Sequence, residues 1–237
     1  MEYPLITVVT VVYNGVDSLL QTINSVSDLV YPNLSYIIVD GGSTDGTVDL
    51  IKENEGKINL WISEPDQGIY DAMNKAWAMV KDDSYILYLG AGDKILKLPD
   101  MLKYPQADVI YGNVALGTSM IFKSAVNWKS YLGNTVHHQS MLVRKSVNPE
   151  PPFRLQFKIY ADFDFNQRLL KRGIIFYKDD EFFAYALDGG VSAQITNESL
   201  AVVKSNYGLV TYFLAKQFYF LQKIYGFRKS FRRNRSL

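Results

Sequence analysis

Residues 5–12 (LITVVTVV) form an apolar, β-branched run that predicts a buried strand. Tyr13-Asn14-Gly15 breaks it. From 16 to 29 the apolar positions Leu19, Leu20, Ile23 and Val26 recur at helical spacing. Residues 36–39 (YIIV) predict a second strand, ended by Asp40-Gly41-Gly42-Ser43-Thr44-Asp45-Gly46, and 47–55 a helix. A third strand is expected at 60–63, a turn at Asp66-Gln67-Gly68, and a helix at 70–81. Residues 85–89 (YILYL) predict a fourth strand, stopped by Gly90-Ala91-Gly92-Asp93. The second half is less regular. It predicts strands at 109–114, 140–143 and 174–177, a helix at 160–172, and a long apolar, aromatic stretch over 199–225.

Strands alternating with helices at this spacing predict βαβ units, an α/β fold and a mostly parallel sheet. In such sheets ligands gather outside the carboxyl ends of the strands. Tyr13-Asn14, Asp40, Asp66 and Asp93 follow strands one to four, so four strand ends place polar groups on one rim. Spacing alone therefore predicts a site.

Composition narrows the classes. The chain of 237 residues is 48% hydrophobic and 21% charged, enough to bury a sizeable core. Tyrosine outnumbers phenylalanine, 17 to 13, which suits clefts where a ring is apolar on its face and wet at its tip. Without cysteine, neither a disulfide framework nor a cysteine-zinc site is available. The start, Met1-Glu2-Tyr3-Pro4, lacks a basic segment and reads as the approach to a strand rather than a signal peptide. No stretch of about 18 uncharged apolar residues predicts a spanning helix. Net charge is +1, yet Lys223, Arg228, Lys229, Arg232, Arg233 and Arg235 crowd the last fifteen residues; removing those six leaves −5. The tail is thus a separate basic feature, and no nucleic-acid-binding module accompanies it.

The segments TVVTVVYNG, IIVDGGSTDGT, EPDQGIYDAMNKA and YILYLGAGD together resemble, in order and spacing, the N-terminal half of a family 2 glycosyltransferase of the GT-A fold. VIYGN, HHQSMLVRK and YADFDFNQRL are similar to the branch that builds exopolysaccharides and O-antigens, of the colanic-acid type. The likeness covers roughly residues 5–195. It implies a GT-A (Rossmann-like) domain over 1–198, followed by an amphipathic helix and basic tail over 199–237. The implied reaction is inverting, metal-dependent transfer of a sugar from a nucleotide-sugar donor, UDP-linked before GDP-linked, to a saccharide or lipid-linked saccharide acceptor. Its setting would be cytoplasmic surface-polysaccharide synthesis, on the inner face of the membrane where the basic tail meets anionic lipid. The rival reading is a catalytically weak sugar-nucleotide binding or assembly partner.

The resemblance also implies residue roles. Asp40 would contact the nucleobase, and Thr10, Val12 and Asn14 would line the nucleotide pocket, largely through backbone groups. Asp66, Gly68 and Gly92 would also meet the donor. Asp93 would hold Mn²⁺ or Mg²⁺ as a lone carboxylate, because Gly90, Ala91 and Gly92 stand where the family's second acid is found. His138 would face the diphosphate or the metal. Asp162 would remove the acceptor proton, with Asp164 as the other candidate and Ala161 in place of the family's glutamate. Arg168 and Arg172 are either diphosphate partners or surface residues, and Gly189-Gly190-Val191-Ser192 resembles a flexible active-site loop. The plain readings stand beside these. Asp40 could be an Asx-turn residue, Asp45 a helix cap, and Asn74 a structural residue.

Overall fold

The computed structural model describes residues 2–118, 120–187 and 197–233, with side chains of the last helix described to Gln222. The chain opens with β1 (Ile6–Val12), α1 (Val16–Ser27), β2 (Leu34–Asp40), α2 (Thr47–Glu53), β3 (Leu60–Ser63), α3 (Ile69–Met79) and β4 (Tyr85–Gly90). Then follow β5 (Lys94–Lys97), β6 (Val109–Leu116), β7 (Met120–Phe122), β8 (Met141–Arg144), α4 (Ala161–Lys171), β9 (Phe176–Ala186) and α5 (Asn197–Arg233). Among the described residues these strands make one sheet in the order β3-β2-β1-β4-β8-β6-β9-β5, with β7 paired to β6. The first four strands are parallel. The second half mixes directions: β8 runs antiparallel to β4 and β6, β5 and β7 are antiparallel to their partners, and β9 is parallel to β6.

The unbroken apolar run of β1 has a reason. Val9 and Val11 point to one core and Ile6, Val8 and Val12 to the other, so both faces of the strand are covered. On one face α3 buries Tyr70, Met73, Ala76 and Trp77 at helical spacing. The fully buried Trp77 ring meets Phe165 of α4 edge-on at 5.9 Å. On the other face α1 buries Leu19, Thr22, Ile23 and Val26; Leu20, apolar in the pattern, is exposed.

The expected boundary at 198/199 is not a boundary of the fold. Val202, Val203 and Ala215 of α5 lie in the core that α3 and α4 share. Tyr207 donates to the Gln167 carbonyl at 3.0 Å, and Lys171 to that of Asn206 at 2.9 Å. Gly208, at φ 82°, interrupts α5 just beyond this docked segment.

Candidate active site

The rim predicted from strand ends is assembled by side chains that lace neighbouring loops together. Asn14, at φ 49°, accepts from the Thr44 N–H at 2.9 Å, while its own N–H donates to Ser43 Oγ at 2.7 Å. Asp45 accepts from the first N–H groups of two helices, Val16 at 3.1 Å and Thr47 at 3.0 Å. Those bonds hold its carboxyl below the ordinary range, the Thr47 hydroxyl contributing most. Asp45 is therefore a capping residue.

Asp40 ends β2 fully buried. Its Oδ2 accepts from the Gly42 and Ser43 N–H groups at 3.0 and 2.9 Å and from Ser63 Oγ at 2.7 Å, while Oδ1 takes the Ser43 hydroxyl. That is an Asx turn with one lone pair of Oδ1 uncommitted. Asp66 joins it from the loop after β3. Its Oδ2 lies where a Cβ on Gly41 would stand, 2.3 Å away, so glycine at 41 is what lets the carboxylate in. Asp66 Oδ1 accepts from the Gly68 N–H at 2.8 Å, and Gly68 adopts φ 115°, a glycine conformation.

Two expected donor contacts are set back from this rim. Thr10 is buried in mid-strand, paired to Ile38 on one side and Leu89 on the other, and its hydroxyl is 2.9 Å from that of Tyr36. Its backbone is engaged in the sheet and its hydroxyl with Tyr36. Val12 packs in the core, although its carbonyl at the strand end accepts from the Gly41 N–H at 2.9 Å. Gly92, at φ 97°, gives its N–H to Thr22 at 2.8 Å, and a Cβ there would lie 2.6 Å from Leu187. Its role is the shape of the turn that presents Asp93.

Asp93 is buried at the end of that turn. Oδ2 accepts from the Gly90 N–H at 2.8 Å and from Gln139 Nε2 at 3.2 Å, and Oδ1 from the Leu187 N–H at 3.0 Å. Asp162, at the first turn of α4, carries an equally organised shell. The Phe163 N–H donates to Oδ1 at 2.8 Å, and the Tyr70 hydroxyl, shared with the Ile159 carbonyl, lies 3.0 Å from it. Oδ2 faces His138 Nδ1 at 3.3 Å and Asn134 Nδ2 at 3.5 Å. Burial is the largest single influence and pushes the Asp162 carboxyl up. His138, the Phe163 N–H and Tyr70 outweigh it and hold the group below the ordinary range. His138 is raised in turn: burial opposes its charge, but the bond to Asp162 and the carboxylates of Asp162 and Asp93 prevail. Both shifts favour the charged forms of the pair. Consecutive residues, His138 and Gln139, reach Asp162 and Asp93 respectively, which couples the expected base to the expected cation ligand.

Burial and pairing separate the two α4 acids. Asp164 is fully buried and tied to Arg154 by two bonds, to Arg168 Nε at 3.0 Å and to Asn206 Nδ2 at 3.1 Å. It has no freedom to receive a substrate proton. Arg168 also reaches the Pro152 carbonyl, and Arg172 binds Asn148 Oδ1 at 3.2 Å and the Val147 carbonyl at 2.6 Å. Both arginines pin the 147–154 segment and do not face a diphosphate. Asn74 exchanges two bonds with the Phe153 backbone, at 2.7 and 2.9 Å, and is structural. The glycine loop expected at 189–192 lies outside the described residues. Tyr70, Asn134 and Gln139 complete the site without having been singled out by the sequence reading.

Among the described residues no cluster of three or more histidine or acidic side chains is placed to hold a metal. His138 turns Nδ1 to Asp162, so it is the partner of that carboxylate, and Nε2 is the ring nitrogen left to meet a diphosphate or a cation. Among the described residues Asp93 Oδ1 has a single hydrogen-bond partner, and Gln139 Oε1 is buried with none at full hydrogen-bond geometry, His137 being the neighbour it influences. These oxygens fit a hard divalent cation that takes its remaining ligands from water and a diphosphate, but they do not make a preformed cage.

A glycosyl transferase family 2 model matches residues 7–172, which is 166 of the 237 residues. A PGL/p-HBAD biosynthesis glycosyltransferase of Mycobacterium bovis (strain BCG / Pasteur 1173P2) is 26% identical over 181 residues, 71% of this chain and 70% of that protein. TarS 1–349 of S. aureus, solved with UDP-GlcNAc, superposes with TM-score 0.66 at 16% identity, covering 85% of this chain and 66% of the solved one. The mannosyltransferase PcManGT of Pyrobaculum calidifontis, solved with GDP-Man and Mn²⁺, gives 0.62 at 15% identity, covering 90% and 64%. The chain thus spans less than two thirds of these solved chains, and at such identity the likeness establishes the fold. The family match spans the strand-end rim, the turn of Asp93 and the first turn of α4: the chain belongs to glycosyl transferase family 2, and its enzymatic class is glycosyltransferase.

Proposed function

We propose that the chain transfers one sugar, with inversion, from a nucleoside-diphosphate sugar to a saccharide acceptor. The observation that carries this reading is Asp162: a buried carboxylate kept ionised, its Oδ2 flanked by His138 and Asn134, coupled through residues 138–139 to Asp93. An inverting displacement needs a carboxylate that takes the acceptor proton as the oxygen attacks the anomeric carbon. His138 and Tyr70 fix the orientation of Asp162, and His138 balances its charge until the proton arrives. Asp40 and Asp66 hold the nucleoside end of the donor, with Tyr13, 65% exposed at the rim, beside them. Asp93 and Gln139 would hold Mn²⁺ or Mg²⁺, which when bound supplies charge neutralisation of the leaving diphosphate. UDP-linked donors are favoured, with the TarS complex as support, and GDP-linked donors come second.

The setting is surface-polysaccharide synthesis on a lipid-linked acceptor. Val210, Phe213, Leu214 and Leu221 make an exposed apolar stripe on α5, and Trp128 stands exposed beside Phe218. Such a face, on a chain whose last fifteen residues carry six basic and no acidic side chains, suits the surface of an anionic membrane. Among the described residues no helix is long and apolar enough to cross one.

The test is calorimetric binding of UDP, GDP and dTDP with and without Mn²⁺ to the wild type and Asp93→Asn, followed by transfer assays on Asp162→Asn. Cation-dependent binding of one diphosphate, lost in Asp93→Asn, is expected, as is a transfer-dead Asp162→Asn that still binds donor. Undiminished transfer by Asp162→Asn would sink the reading, as would failure of every nucleotide to bind.

A further inference from the structure

Asp162 takes two of its partners from a segment with no ladder of its own. Between β7 and β8 the chain runs over 123–140 with only two short 3-10 turns, Trp128–Tyr131 and His138–Ser140. From it Asn134 and His138 reach Asp162 Oδ2, at 3.5 and 3.3 Å. Carbonyls in such a segment need partners from elsewhere. Two consecutive buried amides of α4 supply them: Gln167 Nε2 donates to the Ser130 and Tyr131 carbonyls at 3.2 and 3.1 Å, and Asn166 Nδ2 to that of Val136 at 3.3 Å. We infer that Asn166 and Gln167 are positioning residues of the transfer reaction. They clamp the 130–138 segment on both sides of Asn134 and so set Asn134 and His138 against the base. This role rests on the reading of Asp162 as the base and adds what holds its partners in place.

Three further observations carry the role. Between the two clamps the turn is braced internally: Ser130 Oγ lies 2.6 Å from Thr135 Oγ1, and Asn134 Oδ1 accepts from the Val136 N–H at 3.4 Å, which leaves Asn134 Nδ2 for Asp162. The second observation is a cost. Among the described residues Asn166 Oδ1 is buried without a hydrogen-bond partner. A half-satisfied amide is expensive in a core, and an apolar side chain of that size would avoid the penalty. Packing does not call for the amide either, because Phe163, Phe165 and Leu169 already seat α4 in the core. Asparagine stands there for the one bond its N–H makes.

The third observation is that the Gln167 amide is turned from α5. Arg154 can only donate, and it takes Asn206 Oδ1 at 2.9 Å. Asn206 therefore points its Nδ2 at Gln167 Oε1, 3.1 Å away, and Gln167 Nε2 is left for the two carbonyls. Without touching the base, α5 thus fixes the amide that holds the chain on which the partners of the base sit. Asn134 Nδ2 stands at the limit of hydrogen-bond distance from Asp162, so a small outward shift of the segment breaks that contact and loosens His138.

The test reads the His138 ring directly, by NMR on the full chain with its two histidines labelled with ¹⁵N; His137→Asn assigns the signals. At neutral pH the wild type should show the His138 Nδ1 proton far downfield, held by Asp162. Gln167→Met, which keeps the length of the side chain but none of its hydrogen bonds, and Asn166→Ala should lose that signal. The control is Ser84→Ala, which removes a buried hydrogen bond to Thr7 at the other end of the parallel strands; it should keep the signal whatever it costs in stability. Melting curves show which variants are folded, and if Gln167→Met is not, Asn166→Ala decides alone. Loss of the signal in a folded clamp variant, with Ser84→Ala unchanged, upholds the role. A wild type without the downfield proton, folded clamp variants that keep it, or a Ser84→Ala that also loses it would overturn the role. The base has its own test in Asp162→Asn: full transfer by that variant, beside a lost His138 signal in Gln167→Met, refutes the base and leaves the clamp standing.

Discussion

Exchanging the two acids of α4 one at a time separates chemistry from architecture. Asp162→Asn keeps the shape of the side chain and the donors around it, but removes the proposed base. Loss of general-base catalysis lowers turnover about 10²- to 10⁴-fold, with donor affinity retained. Asp164→Asn works differently. The native carboxylate is fully buried and neutralises Arg154 and Arg168 while accepting from Asn206. Removing one member of a buried ion pair costs about 3–5 kcal/mol. Arg154 and Arg168 are 37% and 26% exposed and can recover some hydration, so the lower end, about 3 kcal/mol, applies. For a chain of this size that lowers Tm by about 6–12 °C. The assay pairs a thermal melt with nucleoside-diphosphate release measured well below both transitions. A Tm drop confined to Asp164→Asn and a rate loss confined to Asp162→Asn are expected. The opposite pattern, a stable but inactive Asp164→Asn beside an active Asp162→Asn, would refute the assignment.

Gly41→Ala drives a methyl into the space of the Asp66 carboxylate; it should weaken nucleoside-diphosphate binding about tenfold, near 1.4 kcal/mol, and unchanged titration calorimetry would count against Asp66 as a donor contact. Asn74→Ala leaves the Phe153 N–H and carbonyl without their partner, costing about 1–3 kcal/mol; chemical denaturation should show the loss while turnover of the folded enzyme is kept. Burial first, and the charge of His138 second, lower the His137 pKa to about 4. Because the unfolded ring titrates near 6.5, this neutral histidine supports stability above that pH and the contribution is lost as pH falls toward 4. The loss amounts to about 3 kcal/mol. His137→Asn should therefore flatten the fall of Tm between pH 6.5 and 4, and an equally steep fall in the variant would rule out this origin.

The first half of the fold was legible because each element announces itself. β1, β2 and β4 are apolar runs closed by glycine-rich polar clusters, and α3 repeats its large apolar residues at helical spacing. The second half hides its elements. β9 runs from Phe176 to Ala186, yet only its first residues read as a strand, since Lys178, Asp179, Asp180 and Glu181 interrupt the apolar pattern. Those residues occupy an irregularity where the pairing to β6 shifts register, and the Asp179 carboxylate satisfies the Glu181 and Phe182 N–H groups there. β5 and β7, of four and three residues, are too short to carry a period.

The site divides the same way. Asp40, Asp66 and Asp93 were readable as strand-end acids, but nothing local distinguishes Asp162 from Asp164 two positions on. The distinction lies in Arg154, Arg168 and Asn206, the last of them 42 residues further along the chain. Thr10 was expected at the nucleotide pocket largely through its backbone; the pairing of its hydroxyl with Tyr36 is a contact that no local pattern announces. Tyr70, Asn134 and Gln139 gain their meaning only from what they touch.

The capping by Asp45 has a consequence for how the donor is charged and loaded. Many α/β proteins greet a phosphate with the positive end of a helix. Here the first N–H groups of α1 and α2 already face Asp45, and α4 opens on Asp162. With Asp40, Asp66 and Asp93 on the same rim, a nucleoside diphosphate meets a surface of its own sign. On the proposed reading, nucleotide and cation are therefore thermodynamically linked: each is a poor ligand alone, and each supplies the charge the other lacks. The coupling is reciprocal, so the factor by which Mn²⁺ tightens UDP must equal the factor by which UDP tightens Mn²⁺. Loading would then be close to all-or-none, with donor and counter-ion arriving and leaving together.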